Sequence, residues 1–294
     1  MSGYHDKILS LIGVDAKQRS DAELASLFHM MLKKGMHGLC FSAYNDNQKP
    51  GSSITEDQIR RRIEIIKPHT KWIRSFSCTD GNELIPKIAH EYGLKTLVGA
   101  WIGKNEKIND QELTNLIKLS NNGYVDIAAV GNEVMYRGDK SEDELLLYIE
   151  RVKREASAID VGYVDAYYQF ENHPRITEAC DVILANCYPF WEGCSLEYSL
   201  LYMKDMYARA IKVAKGKKVI ISETGWPNQG EAFHGATPSL RNALIYFLNT
   251  QEWSINEGIE IFYFSSFDEA WKVDDEGDVG AYWGLWDRNK NIKY

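Results

Sequence analysis

Residues 96–133 read TLVGAWIGKNEKINDQELTNLIKLSNNGYVDIAAVGNE. The stretch opens on a short β-rich apolar run, Thr96–Trp101, and crosses a polar turn. It then takes on helical period over Asn109–Ser120 and returns to a second apolar run, Asp126–Val130. Two such runs joined by a helical segment predict a parallel β-α-β unit, because parallel neighbours need a crossover connection.

The same alternation recurs on both sides. Further apolar runs lie at Gly38–Ser42, Trp72–Ser75, Gly162–Tyr167, Val182–Cys187, Lys218–Ser222 and Ile259–Phe264. Helical segments fall between them at Thr55–Lys67, Gly81–Tyr92, Ser141–Ala158, Leu196–Ala214 and Ser239–Asn256, with a short one at Pro174–Ala179. Thr55 with Gln58, and Ser141 with Glu144, have the spacing of capping boxes. Eight strand candidates alternating with helices predict an α/β fold, a (β/α)8 TIM barrel. A doubly wound sheet is the rival, but no G-x-G-x-x-G or P-loop follows any strand.

After the eighth run come Gly280, Gly284 and aromatics rather than a helical stripe, so the eighth outer helix is expected to be short or missing. An N-terminal helical segment at about 5–34 is expected to pack on the barrel, with Asp21–Lys34 covering that gap. No Pro/Ser linker or low-complexity stretch divides the chain, which predicts a single catalytic domain over 1–294.

Hydrophobic residues make up 44% and charged residues 26% of the 294, the balance of a folded soluble protein. The net charge of −8 argues against nucleic acid or an anionic membrane as partner, since both call for a basic face. A neutral polysaccharide tolerates that charge, and 8 Trp with 17 Tyr supply flat faces on which sugars can stack. The five cysteines, Cys40, Cys78, Cys180, Cys187 and Cys194, form no metal-type C-x-x-C pair and are read as free thiols. No secretory leader, no apolar span of membrane length and no N-x-S/T sequon is read in the sequence, and the expected localisation stays open. A monomer without metal or cofactor is expected.

In such barrels the active site lies at the C-terminal ends of the strands. The fourth run leads into Gly131-Asn132-Glu133 and the seventh into Glu223-Thr224-Gly225-Trp226-Pro227. Two glutamates are thus placed on one face, directed at one axis. Glycoside hydrolysis needs such a pair: one carboxyl protonated to release the leaving oxygen, the other ionised to meet an oxocarbenium-like carbon. A separation of roughly 5–5.5 Å gives retention, and a wider one admits water and gives inversion.

Longer strings carry a family resemblance. Asn132-Glu133 and Glu223 resemble the pattern of the clan A glycoside hydrolases. Gly131-Asn132-Glu133-Val134-Met135-Tyr136-Arg137, Ser222-Glu223-Thr224-Gly225-Trp226-Pro227 and Phe267-Asp268-Glu269-Ala270-Trp271-Lys272 resemble glycoside hydrolase family 17, the β-1,3-glucanase and glucanosyltransferase family, from about Gly38 to Asp287. The resemblance implies a retaining, endo-acting hydrolase of laminarin-type β-glucan, with Glu133 as acid/base and Glu223 as nucleophile. It implies that Asn132 meets the sugar 2-hydroxyl, Glu269 and Lys272 form a charged pair beside the centre, Tyr188 donates to the nucleophile, and Tyr44 lines the cleaved sugar's site.

The catalytic cycle asks the surroundings to raise the pKa of Glu133 and to supply Glu223 with donors, for which Tyr188 and Lys272 are suited. Arg74, inside the second run, is read as a salt-bridge partner or as the orienter of a carboxylate. Trp101, Phe190, Trp191, Trp226, Trp271, Trp283 and Trp286 are candidate sugar platforms, with Phe190, Trp191 and Trp271 placed first. The strand-one string Phe41-Ser42-Ala43-Tyr44 departs from the Ser-Pro-Tyr of related bacterial-type sequences, a difference that bears on subsites. Two other readings remain: a transglycosylase using the same glycosyl-enzyme, and a non-catalytic glucan-binding barrel, which would have no need of both carboxylates.

Overall fold

Eight strands follow one another around a closed barrel: β1 (Met36–Cys40), β2 (Thr70–Ser75), β3 (Lys95–Ala100), β4 (Ile127–Asn132), β5 (Asp160–Ala166), β6 (Val182–Asn186), β7 (Lys218–Thr224) and β8 (Ile261–Tyr263). Each pairs in parallel with the next, and β1 pairs with β8. The structure is a computed structural model and describes residue 13, residues 18–156 and residues 159–294. The (β/α)8 fold expected from the alternation of runs is therefore the fold observed.

The outer helices are α1 (Asp21–Lys34), α2 (Glu56–Ile66), α3 (Ile85–Glu91), α4 (Glu106–Asn121), α5 (Val134–Arg137), α6 (Glu142–Glu155), α7 (Gln169–Asn172), α8 (Pro174–Ala179), α9 (Leu196–Ala214), α10 (Leu240–Glu257) and α11 (Val273–Glu276). Both capping boxes form. The Thr55 hydroxyl accepts from Gln58 N while Thr55 N donates to Gln58 Oε1 at 3.1 Å, and Ser141 and Glu144 repeat the arrangement. The second expected helix begins with a 3-10 turn at Asn82–Leu84, because Pro86 suits only the first turn of α3. The third starts earlier than its apolar period, since Asn105 Oδ1 accepts from Lys107 N and Ile108 N and caps α4 there. Residues 157–158 of the segment expected to end at Ala158 lie outside the described residues.

After β8 the described chain forms only short turns, at Ala270–Lys272, α11 and Asp278–Tyr282, as the glycine-bearing tail predicts. Helix α1 occupies the gap. Its Phe28 is fully buried between Phe247 of α10 and Tyr294, each ring 4.8 Å away centre to centre. Leu32 of the same helix reaches the Lys67–His69 turn through His69 Nδ1 at 3.3 Å. The rest of the segment expected to be helical, residues 5–17, lies outside the described residues apart from Gly13.

Three register irregularities position the functional end. They fall between Ala129 and Asn132 on β4, between Ala185 and Asn186 on β6, and between Ile221 and Thr224 on β7. Such irregularities re-aim the side chains that follow them. Glu223 consequently lies within β7, which runs two residues past the Ser222 expected as its end, and Asn132 closes β4.

Candidate active site

Glu133 follows β4 in a left-handed backbone conformation, φ 53° and ψ 33°, which a residue with a Cβ adopts at a cost of roughly 1–2 kcal/mol. The chain is held there from both sides. Glu133 N donates to Val164 O of β5 at 2.7 Å, and Arg137 N donates to Glu133 O at 2.8 Å. Gly131, at φ 88°, supplies the bend just before, where a Cβ would stand 2.7 Å from Val134 Cγ2. Backbone strain of this kind is concentrated where side chains are aimed for a purpose.

Glu223 projects from β7 and is 6% exposed. Its Oε1 accepts from Arg74 Nη1 at 2.5 Å and from Asn186 Nδ2 at 3.2 Å, and its Oε2 accepts from Tyr188 Oη at 2.7 Å. Arg74 comes from β2 and also donates through Nη2 to Asn132 Oδ1 at 2.7 Å, which fixes the face that the Asn132 amide presents. Tyr188 thus stands where the resemblance implied. Lys272, expected as a second donor to Glu223, is bonded to Glu269 instead, and Arg74 is the cation on Glu223. The cause is electrostatic: the Lys272 ammonium is seated over the Phe264 ring, 3.8 Å from its centroid, and pairs with Glu269 at 2.8 Å.

Asn186 of β6 joins the two glutamates. Its Nδ2 donates to Glu133 Oε1 at 2.9 Å and to Glu223 Oε1 at 3.2 Å, while its Oδ1 accepts from Ser222 Oγ at 2.8 Å. Because both oxygens bind one nitrogen, they cannot be farther apart than the two bonds end to end, about 6 Å.

Burial raises the pKa of Glu133 to about 7, with the nearby negative charges of Glu223 and Asp165 adding to it and the Asn186 and Arg137 contacts opposing it. Glu269 and Lys272 are each 7% exposed, so their pair is buried rather than an ordinary surface pair. Burial opposes both charges, but the pairing outweighs it, holding the Glu269 carboxyl below its ordinary value and the Lys272 ammonium above.

The aromatic candidates divide by exposure. Trp191 is 36% exposed and Trp101 39%, the latter with the Arg137 guanidinium 4.5 Å from its ring centroid. Trp271 and Tyr44 are half-buried and meet edge to face at 6.3 Å. Phe190 corrects the reading that placed it among the leading platforms. It is wholly buried, edge-on to Trp226 at 5.3 Å and Trp283 at 5.5 Å, and it backs Trp191 instead of meeting solvent. Trp226, Trp283 and Trp286 are likewise buried.

Besides Asn186, three polar residues at the site escaped the sequence reading. Asp165 and Tyr163 lie buried on β5 behind Glu133, and a lone Asp inside an apolar run was the available signal. Glu276 follows the Glu269–Lys272 pair. Burial pushes its pKa to about 7 against the pull of Lys272, with Glu269 and Glu223 adding to the rise. It sits in an acidic run, Asp274-Asp275-Glu276, that has the look of a solvated turn. Among the described residues no cluster of three or more His, Cys, Asp or Glu is arranged to hold a metal ion. None of the described helices is long and apolar enough to cross a membrane, and all five cysteines are free thiols.

A parallel barrel with two glutamates ending β4 and β7 on either side of one amide defines a glycoside hydrolase of the barrel class. Comparison with known proteins gives the family: the chain belongs to the BtgE/BtgC glycoside hydrolase domain family, whose model matches residues 38–284. It is 28% identical over 262 residues to the glucan 1,3-beta-glucosidase BGL2 of Candida albicans, covering 79% of this chain and 83% of that one. The glucan 1,3-beta-glucosidase of Schizosaccharomyces pombe is 26% identical, with 100% of this chain and 97% of that one covered. Among solved structures, the Rhizomucor miehei family 17 beta-1,3-glucanosyltransferase superposes with a TM-score of 0.79 at 29% identity, covering 89% of this chain and 96% of that one.

Proposed function

We propose that this chain is a retaining hydrolase of β-1,3-glucan in which Glu223 is the nucleophile and Glu133 the general acid/base. The observation that carries the reading is the double donation from Asn186, because it keeps the two carboxylate oxygens within about 6 Å, short of the roughly 6.5–9.5 Å of an inverting pair that must admit water. The substrate class follows from the relatives, which are named for 1,3-linked glucan, and from the laminaritriose held by an active-site mutant of the Rhizomucor miehei enzyme.

In the first step Glu223 Oε attacks the anomeric carbon while Glu133 gives its proton to the departing glycosidic oxygen. With a pKa of about 7, Glu133 still carries that proton in about half of the molecules at neutral pH and in most of them below it. Once Glu223 is esterified its charge is gone, and with it one cause of the raised Glu133 pKa. Glu133 then ionises and takes the proton from the incoming water. Asn132, its oxygen occupied by Arg74, offers its amide nitrogen to the sugar 2-hydroxyl. Trp191, Trp271, Tyr44, Tyr188 and the Glu269–Lys272 pair line the sugar sites, with Phe190 in support.

A second reading, transfer of the glycosyl unit to another glucan, is favoured by the likeness to the Rhizomucor miehei transferase. Incubation with defined laminari-oligosaccharides separates the two: short products only indicate hydrolysis, and products longer than the input indicate transfer. Glu223→Gln is expected to abolish turnover while glucan binding persists, and retained turnover would sink the nucleophile assignment. Glu133→Ala is expected to be rescued by azide with a β-configured glycosyl azide as product.

A further inference from the structure

Behind Glu133 lies a buried pair on β5. Tyr163 and Asp165 share one face of β5, and the Tyr163 hydroxyl donates to Asp165 Oδ2. The same hydroxyl accepts from Met135 N at 2.9 Å, and Asp165 Oδ2 accepts from Tyr136 N at 3.3 Å. Asp165 Oδ1 accepts from Ala166 N at 2.7 Å. Asp165 is wholly buried and Tyr163 is 1% exposed. Every atom facing the Asp165 carboxyl in these bonds is a donor, which favours the ionised form, while burial raises its pKa against them. Two of the three amides they bind, Met135 N and Tyr136 N, belong to the second and third residues after Glu133, so the pair satisfies the backbone of the turn that leaves the left-handed residue. An uncapped turn would relax Glu133 toward an ordinary conformation and swing its carboxyl off Asn186.

The geometry points to Asp165, acting with Tyr163, as the positioning residue that holds Glu133 in its left-handed backbone and keeps a negative charge behind its carboxyl. The inference rests on the reading of Glu133 as acid/base. The charges and titratable groups acting on Glu133 are Glu223 from β7, Asp165 from β5 and Arg137 from α5, with Asn186 bonded to it from β6 and the Tyr168 hydroxyl beyond β5. Asp165 and Glu223 both disfavour ionisation of Glu133, and Arg137 favours it.

The test uses Tyr163→Phe, Asp165→Asn and Glu133→Gln in the full chain. Each is assayed on laminarin and on an aryl β-laminaribioside whose leaving group departs without a proton. Tyr163→Phe removes one hydroxyl and leaves the charge, and is expected to lower kcat on laminarin at least tenfold with KM within about twofold. The burst of aryl release should stay within about twofold. Asp165→Asn should in addition move the basic limb of the kcat/KM profile to lower pH by about half a unit or more. The inference is overturned if both variants leave laminarin turnover and the basic limb in place. Equal loss on both substrates overturns it too, since that marks general damage to the barrel. Should Asp165→Asn not fold, Tyr163→Phe decides alone. Glu133→Gln separates the two levels: loss on laminarin with the aryl burst kept sustains the acid/base reading whatever the β5 variants do. Retained laminarin turnover removes that reading and the inference with it.

Discussion

Arg74 Nη1 lies 2.5 Å from Glu223 Oε1, and the two residues are only 1% and 6% exposed. A guanidinium from β2 therefore crosses the barrel to a carboxylate on β7 and, with its other arm, to Asn132 on β4. Three strand ends are tied by one side chain. A planar fork can hold two partners at fixed angles, as an ammonium cannot.

Removing that fork should damage stability and turnover separately. Arg74→Met leaves the Glu223 charge buried without its cation, an expected loss of about 3–5 kcal/mol in chemical denaturation. Arg74→Lys keeps the charge but cannot reach Glu223 and Asn132 together. It is expected to lose much less stability while kcat falls at least tenfold, and equal losses in the two variants would refute the bridging role.

The Glu133 pKa of about 7 gives a stability prediction with a definite sign. The folded protein holds this proton up to about pH 7, whereas the unfolded chain releases it near 4.5. Between those values the native state binds more protons, so this group's contribution to stability declines as pH rises. Glu133→Gln removes the decline, and its stability relative to the parent should grow from pH 5 to pH 8 by up to about 3 kcal/mol. Urea denaturation of both proteins across that range measures it. In the parent, kcat/KM should fall on the alkaline side of about pH 7 as the acid loses its proton.

The Glu269–Lys272 pair offers a double-mutant cycle. Lys272→Met leaves Glu269 buried and unpaired, at an expected cost of about 3–5 kcal/mol. Adding Glu269→Gln should recover a large part of that loss, because the uncompensated charge is gone. No recovery in the double variant would mean that packing of the lysine stem, not its charge, carries the effect.

Trp191 presents the exposed ring among the aromatics that follow β6, backed by Phe190 and flanked by Phe233 and Trp283. Trp191→Ala should raise KM for long laminari-oligosaccharides roughly tenfold, the worth of one stacking contact of about 1.4 kcal/mol. The shortest substrates should change little. Steady-state kinetics over a chain-length series checks the difference.

Much of this was legible in the sequence because barrel strands and helices announce themselves through period, caps and breakers. Thr55 with Gln58 and Ser141 with Glu144 declare helix starts in letters alone. That Glu133 and Glu223 come together at one end of the barrel was legible because a strand end is a position, and position follows from order. What depends on the third dimension was not readable. Phe190 and Trp191 are adjacent in sequence, yet one is wholly buried and the other is exposed. Lys272 could reach Glu269 or Glu223 by spacing, and the seat over Phe264 decides between them. Asn186 carries no sign that it bridges two carboxylates, because its partners lie 53 and 37 residues away.

With Glu133 as the proposed acid/base, its left-handed backbone sets fitness and robustness against each other at one codon. Glycine is the residue most at ease there, since it alone lacks the Cβ that makes the conformation costly. A population screened for heat resistance would drift toward glycine at position 133, and one screened for growth on glucan would be driven back to glutamate. Any attempt to harden this enzyme by consensus or library methods has to hold that codon fixed.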